Sequence, residues 1–416
     1  MPKSHYSEQL ELFPYIGKWL LIAIVVAILS GTASAFLLFG LEWATSTHEN
    51  YHWLMWLLPA AGFMVGWIYL RFGQDVEKGN NLLIDEIHDP KKIIPFRMAP
   101  FVFFGNIVSI LFGASVGREG TAVQMGGALA DQMAYLFKFD PEHRRMILMA
   151  GISAGFASVF GTPLAGAIFG LEVLIIGRMR YEAIFPCTVA AIIADQVSLL
   201  WGVHHTHYAI QTIPSITAWG LCATMIAGVA FGFTGKAFAE LAHYTSTLFK
   251  RHIAYAPLRP LIGGLLIIAA TWVIGSDRYI GLGVPTIVEA FEKPLASYDF
   301  VGKLLFTIAS IGSGFKGGEV TPLFYIGATL GNALAPVLNM PFSLLAGVGF
   351  VAVFAGAANT PIASMVMAME LFGAEVGIYA AIACVVSYLF SGKSGIYRSQ
   401  RREQAKHAGS PGTTER

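Results

Sequence analysis

The sequence predicts an all-α integral membrane protein of two inverted-topology repeats built from broken, re-entrant helices. Three observations predict it. Of the 416 residues, 55% are hydrophobic and 13% charged, against about 25% charged in a soluble domain. Beyond residue 70 the apolar runs shorten to roughly 12–18 residues, under the ~20 needed to cross a bilayer squarely. Glycine or proline interrupts those runs, and the two halves of the chain match each other in register.

Taken in order, residues 1–15 carry charges and Pro14 and read as a cytoplasmic segment. The runs 16–41 and 51–70 read as ordinary spans, the first retained because no small-residue cleavage site follows it. "EWATSTHENYH" (42–52) and "VHHTHYAIQTIPSIT" (203–217) contain no Lys or Arg, whereas 71–97 contains five. The tail 398–416 holds Arg398, Arg401, Arg402 and Lys406. The positive-inside rule then places both termini in the cytoplasm. Broken helices such as "MILMAGISAGFASVFGTPLAGAIFGLEVL" are tolerated at membrane depth only where they are buried in protein or line a cavity, which points to a transporter or channel.

The net charge of +1 gives no sign of a nucleic-acid partner. Cys187, Cys222 and Cys384 lie in separate apolar stretches without metal or redox spacing and read as core residues. No Walker loop, HExxH or Ser/His pair appears in the spans, so no nucleotide, metal, organic cofactor or enzymatic chemistry is expected.

The repeat is read residue by residue. "AGFASVFGTPLAGAIFGLEV" (154–173) aligns with "AVFAGAANTPIASMVMAMEL" (352–371), matching Thr162-Pro163 to Thr360-Pro361 and Glu172 to Glu370 at a spacing of 198. Upstream, "GREGT" (117–121) aligns with "GGEVT" (317–321), and "GNNLL" (79–83) with "GLGVP" (281–285). Loop 276–302 holds fewer basic residues than 71–97, as opposite orientations would require. Inverted repeats of broken helices meet at the bilayer midplane, where the substrate sits.

Glu119 is the leading candidate. A carboxylate near the bilayer centre costs about 2.5–3.5 kcal/mol even on the lenient insertion scale, so it is neutral, paired or useful. Adjacent helical residues point to different faces, which argues against a static pair with Arg118. Gly117 and Gly120 suggest a backbone turning into a helix N-terminus, whose free amides attract an anion. An ionised Glu119 would fill that anion site and leave it on protonation. Asn80 is either an N-cap in a Gly-Asn turn or an amide donor to a bound anion. Glu319, the counterpart of Glu119, is either a capping carboxylate or, with Thr321, part of a polar track. Tyr397 is an interfacial anchor or a site residue. Glu172 and Glu370 end apolar runs and read as reaching the interface. The His204–His207 cluster lies in an external loop without partner ligands.

At these residues the chain resembles the CLC family of chloride channels and chloride/proton exchangers, over about residues 16–397. That family carries the signatures GSGIP, GREGP and GxFxP and a late tyrosine, against "GNNLL", "GREGT", "GGEVTP" (317–322) and "SGKSGIY" (391–397) here. Asn80 replaces the chloride-coordinating serine, Thr121 the proline after the gating glutamate, and Glu319 and Thr321 stand in an acidic third signature. The internal proton-transfer glutamate of the exchangers falls at Val173. These substitutions look like the fluoride-exporting branch of the family, bacterial fluoride/proton antiporters.

The resemblance implies a CLC-like membrane domain over 16–397, with repeat one at about 16–202 and repeat two at about 215–397. It implies Glu119 as the gating, proton-carrying carboxylate. The anion pathway would run past Asn80, Gly117, Arg118, Gly120, Thr121, Gly318, Glu319, Val320, Thr321 and Tyr397. It also implies a homodimer in the bacterial inner membrane, fluoride and protons as substrates, and one route shared by both. Fluoride is small and tightly hydrated, so its desolvation needs several good donors at close range. A chloride/proton exchanger or passive chloride channel is the alternative.

Overall fold

A helix that stops within a bilayer must find partners for its end groups elsewhere in the protein. The structure, a computed structural model, describes residues 5–402 and Lys406; residues 1–4, and 403–405 and 407–416 of the basic tail, lie outside the described residues. Among the described residues, sixteen α-helices form two sets of eight. The first set is α1 (His5–Asn50), α2 (Leu58–Phe72), α3 (Asn80–His88), α4 (Met98–Leu111), α5 (Glu119–Leu136), α6 (Pro141–Phe160), α7 (Pro163–Glu172) and α8 (Ile184–Leu200). The second is α9 (Ala218–His252), α10 (Leu258–Ile274), α11 (Val284–Glu292), α12 (Asp299–Ser313), α13 (Val320–Leu338), α14 (Phe342–Ala358), α15 (Pro361–Phe372) and α16 (Gly377–Phe390).

Length and packing recur between the sets. Helices α3 and α11 have 9 residues each, a rise of about 13 Å, less than half the hydrocarbon core. Among the described residues, five helical stretches are long and apolar enough to cross a membrane: Leu12–Asn50, His52–Phe72, Tyr181–Leu200, Ala218–His252 and Val320–Leu338. Helix α5 packs on α6 as α13 packs on α14, and α1 lies against α6 and α8 as α9 lies against α14 and α16. Both of the first two contacts are made close by glycine. A methyl built on Gly126 would stand 2.3 Å from the Gly151 carbonyl oxygen, and one on Gly327 2.1 Å from that of Gly349. Without side chains there, the backbones approach and van der Waals contact replaces the missing hydrophobic drive between helices in lipid.

The repeated Thr-Pro explains how α6 gives way to α7, and α14 to α15. Gly161 and Asn359 close the preceding helices in the left-handed conformation, with φ of 72° and 57°. Pro163 and Pro361 then open the next helix at its first turn, where a missing N–H leaves no bond unmade.

Helices α7 and α15 cap each other. Glu172, the last residue of α7, accepts from Ile362 N–H at 3.0 Å and Ala363 N–H at 2.8 Å in the first turn of α15. Glu370, near the end of α15, accepts from Leu164 N–H and Ala165 N–H at 2.8 Å each in the first turn of α7. Counterpart helices that cap each other reciprocally run antiparallel, so the two halves are inverted copies. These carboxylates therefore meet the opposite repeat rather than the interface expected from sequence. Phe156 and its counterpart Phe354 stack nearby, ring centroids 6.2 Å apart.

Three further features depart from expectation. Helix α1 is 46 residues long and passes through Pro14, so it begins inside the segment read as cytoplasmic. Its end takes in 42–50, read as part of an outward stretch, and Glu42, Thr45, Ser46 and Glu49 line a cavity there. Two short parallel strands, β1 (Ile175–Ile176) and β2 (Arg401–Arg402), join the tail to the first repeat. Around this junction Lys18 meets His143, Arg145 donates to the His88 carbonyl, and His88 and the Arg401 amide both meet the Leu174 carbonyl.

Glu172→Ala leaves two N–H groups at the start of α15, those of Ile362 and buried Ala363, without acceptors. It should lower unfolding stability in detergent by about 2–4 kcal/mol, with a smaller loss for the more exposed Glu370→Ala. Unfolding midpoints of the two variants check this order.

Candidate functional site

Glycine brings the two repeats into backbone contact at the centre. Gly117 and Gly318 exchange hydrogen bonds, Gly117 N–H to Gly318 O at 2.6 Å and Gly318 N–H to Gly117 O at 2.8 Å. A methyl at Gly120 would lie 3.1 Å from Gly318 Cα and 3.1 Å from Asn80 Nδ2. The starts of α3, α5 and α13 thus crowd together, with buried Val320 as the first residue of α13.

The Glu119 carboxylate is 1% exposed. Its Oε2 accepts from Thr321 N–H at 3.0 Å and from Thr321 Oγ1 at 2.5 Å, with a longer bond from Arg118 N–H at 3.3 Å. The first helix of residue 119 therefore does not supply the anion cradle that its glycines suggest. The first turn of α13, in the other repeat, supplies it. Arg118 does stand beside the acid, Nε 3.4 Å from Oε1, contrary to the helical-face argument. The reason is local: Arg118 precedes the first helical residue and is free of helical spacing. Neither Nε nor Oε1 has a hydrogen-bond partner among the described residues, so this is a charge contact rather than a locked bidentate bridge.

The counterpart positions differ. Thr121 Oγ1 accepts from Asn106 Nδ2 at 2.8 Å, and the same amide donates to Gly117 O at 3.1 Å. Sequence reading missed Asn106. Its signal was a lone amide inside the apolar run "FVFFGNIVSILFG", since polar residues at membrane depth mark function or packing partners. Glu319 occupies the N-cap position of α13 without a side-chain capping bond and lines a cavity of about 230 Å³, shared with Asn80, Thr121, Gln124 and Tyr397. Asn80 Oδ1 is buried without a partner among the described residues. The Tyr397 segment is pinned by Ile396 N–H to Ala357 O at 2.9 Å and Ser399 N–H to Asn81 Oδ1 at 3.0 Å.

Two cavities reach the neighbours of Glu119, one at Thr121 and Glu319 and the other at Arg118. The first, just described, is also lined by Lys78, Lys250, Arg259 and Lys316, against the acids Glu77 and Glu319. Its positive excess concentrates anions at the mouth. The second, about 290 Å³, is lined by Arg118, Glu42, Glu49, His204 and His205. His205 lies in the loop after α8, 3.7 Å from an Asp195 oxygen. Burial, then the Arg118 charge, pushes its imidazole down to about 4, so it is neutral at physiological pH.

A profile of the voltage gated chloride channel family matches residues 61–392. The "Chloride/fluoride channel protein" of Pseudomonas syringae pv. tomato is 62% identical over 413 residues, 98% of this chain and 91% of that protein. A crystal structure of a CLC-type fluoride/proton antiporter superposes with a TM-score of 0.90 at 32% identity, covering 93% of this chain and 98% of that one. A slow cyanobacterial Cl−/H+ antiporter shares the fold, with a TM-score of 0.79 at 20% identity over 91% of this chain and 96% of that one.

The Asn106–Thr121 bond predicts a coupling. Asn106→Leu and Thr121→Val should each destabilise the protein, and the double variant should fall short of their sum by about 0.5–1.5 kcal/mol. Denaturant unfolding of the four proteins measures it, and strict additivity would show that the bond contributes nothing.

Proposed function

The chain belongs to the voltage gated chloride channel (CLC) family, and on that premise we propose that it is a fluoride/proton antiporter of the bacterial inner membrane. It moves fluoride out of the cytoplasm against an inward flow of protons. The observation that carries this reading is the buried Glu119 carboxylate on the two Thr321 donors, with cavities reaching its neighbours Arg118 and Thr121. An ionised carboxylate and a fluoride ion are both small, hard acceptors, and they compete for the same N–H and O–H groups.

When a proton binds Glu119, its charge is lost and its hold on Thr321 weakens. A fluoride ion from the basic cavity then accepts from Thr321 N–H and Oγ1 in its place. When the proton leaves toward the cytoplasm, the carboxylate regains its charge and displaces the ion outward. One carboxylate taking turns with the ion couples the two flows. Val173 is apolar and buried, which supports a single route for proton and fluoride. The Asn80 amide, the Tyr397 hydroxyl and the Thr121 hydroxyl supply donors along the approach that Glu319 also lines, and Arg118 offsets the charge of Glu119.

Both termini and the cavity of Lys78, Lys250, Arg259 and Lys316 face the cytoplasm in this reading, in keeping with the positive-inside rule. Two copies pair, each with its own pathway. The exposed apolar pair Leu164 and Ile362, counterparts on α7 and α15, supports a contact on the pseudo-two-fold axis.

Proteoliposomes loaded with fluoride or with chloride test the reading. Fluoride should leave faster, with proton uptake; equal efflux of the two anions would overturn it in favour of a chloride transporter. Glu119→Gln cannot alternate between charged and neutral states, so proton-coupled fluoride efflux should fall to the level of empty liposomes. Glu319→Ala should slow fluoride efflux while leaving the yield of folded protein unchanged.

A further inference from the structure

Lys316 stands in the glycine-bounded loop "GFKGG" between α12 and α13, deep in the fold. Its placement is built rather than incidental. Its backbone N–H donates to Ser109 Oγ of α4 at 3.2 Å. Its stem packs on Gly105, where an added methyl would come within 2.9 Å of Lys316 Cβ. The ammonium lies 4.0 Å from the centroid of the Tyr69 ring of α2, and among the described residues no carboxylate is in ion-pair contact with it. A partly buried cation of this kind normally pairs, and the ring face offsets part of its charge.

Tyr69 is itself incomplete. It is 6% exposed, and its hydroxyl is buried without a hydrogen-bond partner among the described residues. The same methyl at Gly105 would lie 3.5 Å from that hydroxyl, so glycine leaves space where the two groups converge. Both residues line the basic cavity that leads to Glu319 and Tyr397. An unpaired ammonium and an unused O–H around one ring share a single complement, a small monovalent anion accepting from both.

We propose that Lys316 and Tyr69 form a loading subsite for a small hard anion, off the basic cavity and separate from the Thr321 donors. This rests on the transport reading above. Anions gathered by Lys78, Lys250 and Arg259 pause here, partly dehydrated, before entering the segment controlled by Glu119. The subsite sets how much anion is presented, while Glu119 sets the exchange.

Fluoride efflux from proteoliposomes, followed with a fluoride electrode across internal fluoride concentrations, tests the subsite. Lys316→Met should raise the apparent KM about tenfold, the size of one charge-assisted hydrogen bond, with maximal rate and proton-to-fluoride ratio unchanged. Lys316→Arg should stay near wild type. Tyr69→Phe, which removes a single oxygen, should raise KM about three- to tenfold and carries the test alone if Lys316→Met does not fold. Unaltered KM in Tyr69→Phe, or a fall in maximal rate alone, would overturn the subsite. Absence of fluoride efflux in the wild type would instead overturn the transport reading.

Discussion

Amide groups stranded at helix ends inside a membrane must be satisfied, and here each repeat satisfies the other's. Lipid offers no acceptor and the helix's own chain has none to give. Glu172 and Glu370 meet this need reciprocally between α7 and α15, and Glu119 does so for α13. Carboxylates suit the task because the helix dipole favours negative charge at that end. The same demand that holds the halves together therefore also brings a titratable acid to the centre.

The difference between a structural cap and a working one lies in broken symmetry. Glu172 and Glu370 each hold two amides, and the arrangement is mutual. Glu119 holds Thr321, yet Glu319 is not held by Thr121 in return; the Thr121 hydroxyl is instead met by Asn106. Glu319 is left facing the basic cavity. Two duplicated acids thus have different surroundings, one on a donor cluster and one in the approach to it. Gly117, Gly120 and Gly318 make this possible, since a side chain at any of them would separate the loops.

Much of this was legible in the sequence, for reasons that are local. Composition and the length of apolar runs report the membrane, and the Thr-Pro and GREGT/GGEVT matches report duplication, because each depends on residues close together in the chain. Glu119 stood out because a carboxylate in an apolar chain needs a reason. What stayed hidden depends on contacts between halves. Nothing near Glu172 or Glu370 reveals that each reaches a helix some 200 residues away, and nothing in GREGT reveals that its acid lies on α13. Asn106 and Lys316 escaped notice for the same reason: each is an isolated polar residue whose meaning is set by Thr121, or by Tyr69. The apolar run of α1 ends near Leu41, and composition alone does not show that the helix continues through the polar residues 42–50.

The reciprocal capping of α7 and α15 also constrains how the protein is made. The amides of Leu164 and Ala165 wait for a carboxylate 206 and 205 residues further along the chain. At about 5–20 residues per second of synthesis that is a delay of roughly 10–40 s. The newly inserted first half spends that interval with a bare helix end in the membrane, so biogenesis depends on holding an unfinished half-protein until its twin emerges from the ribosome.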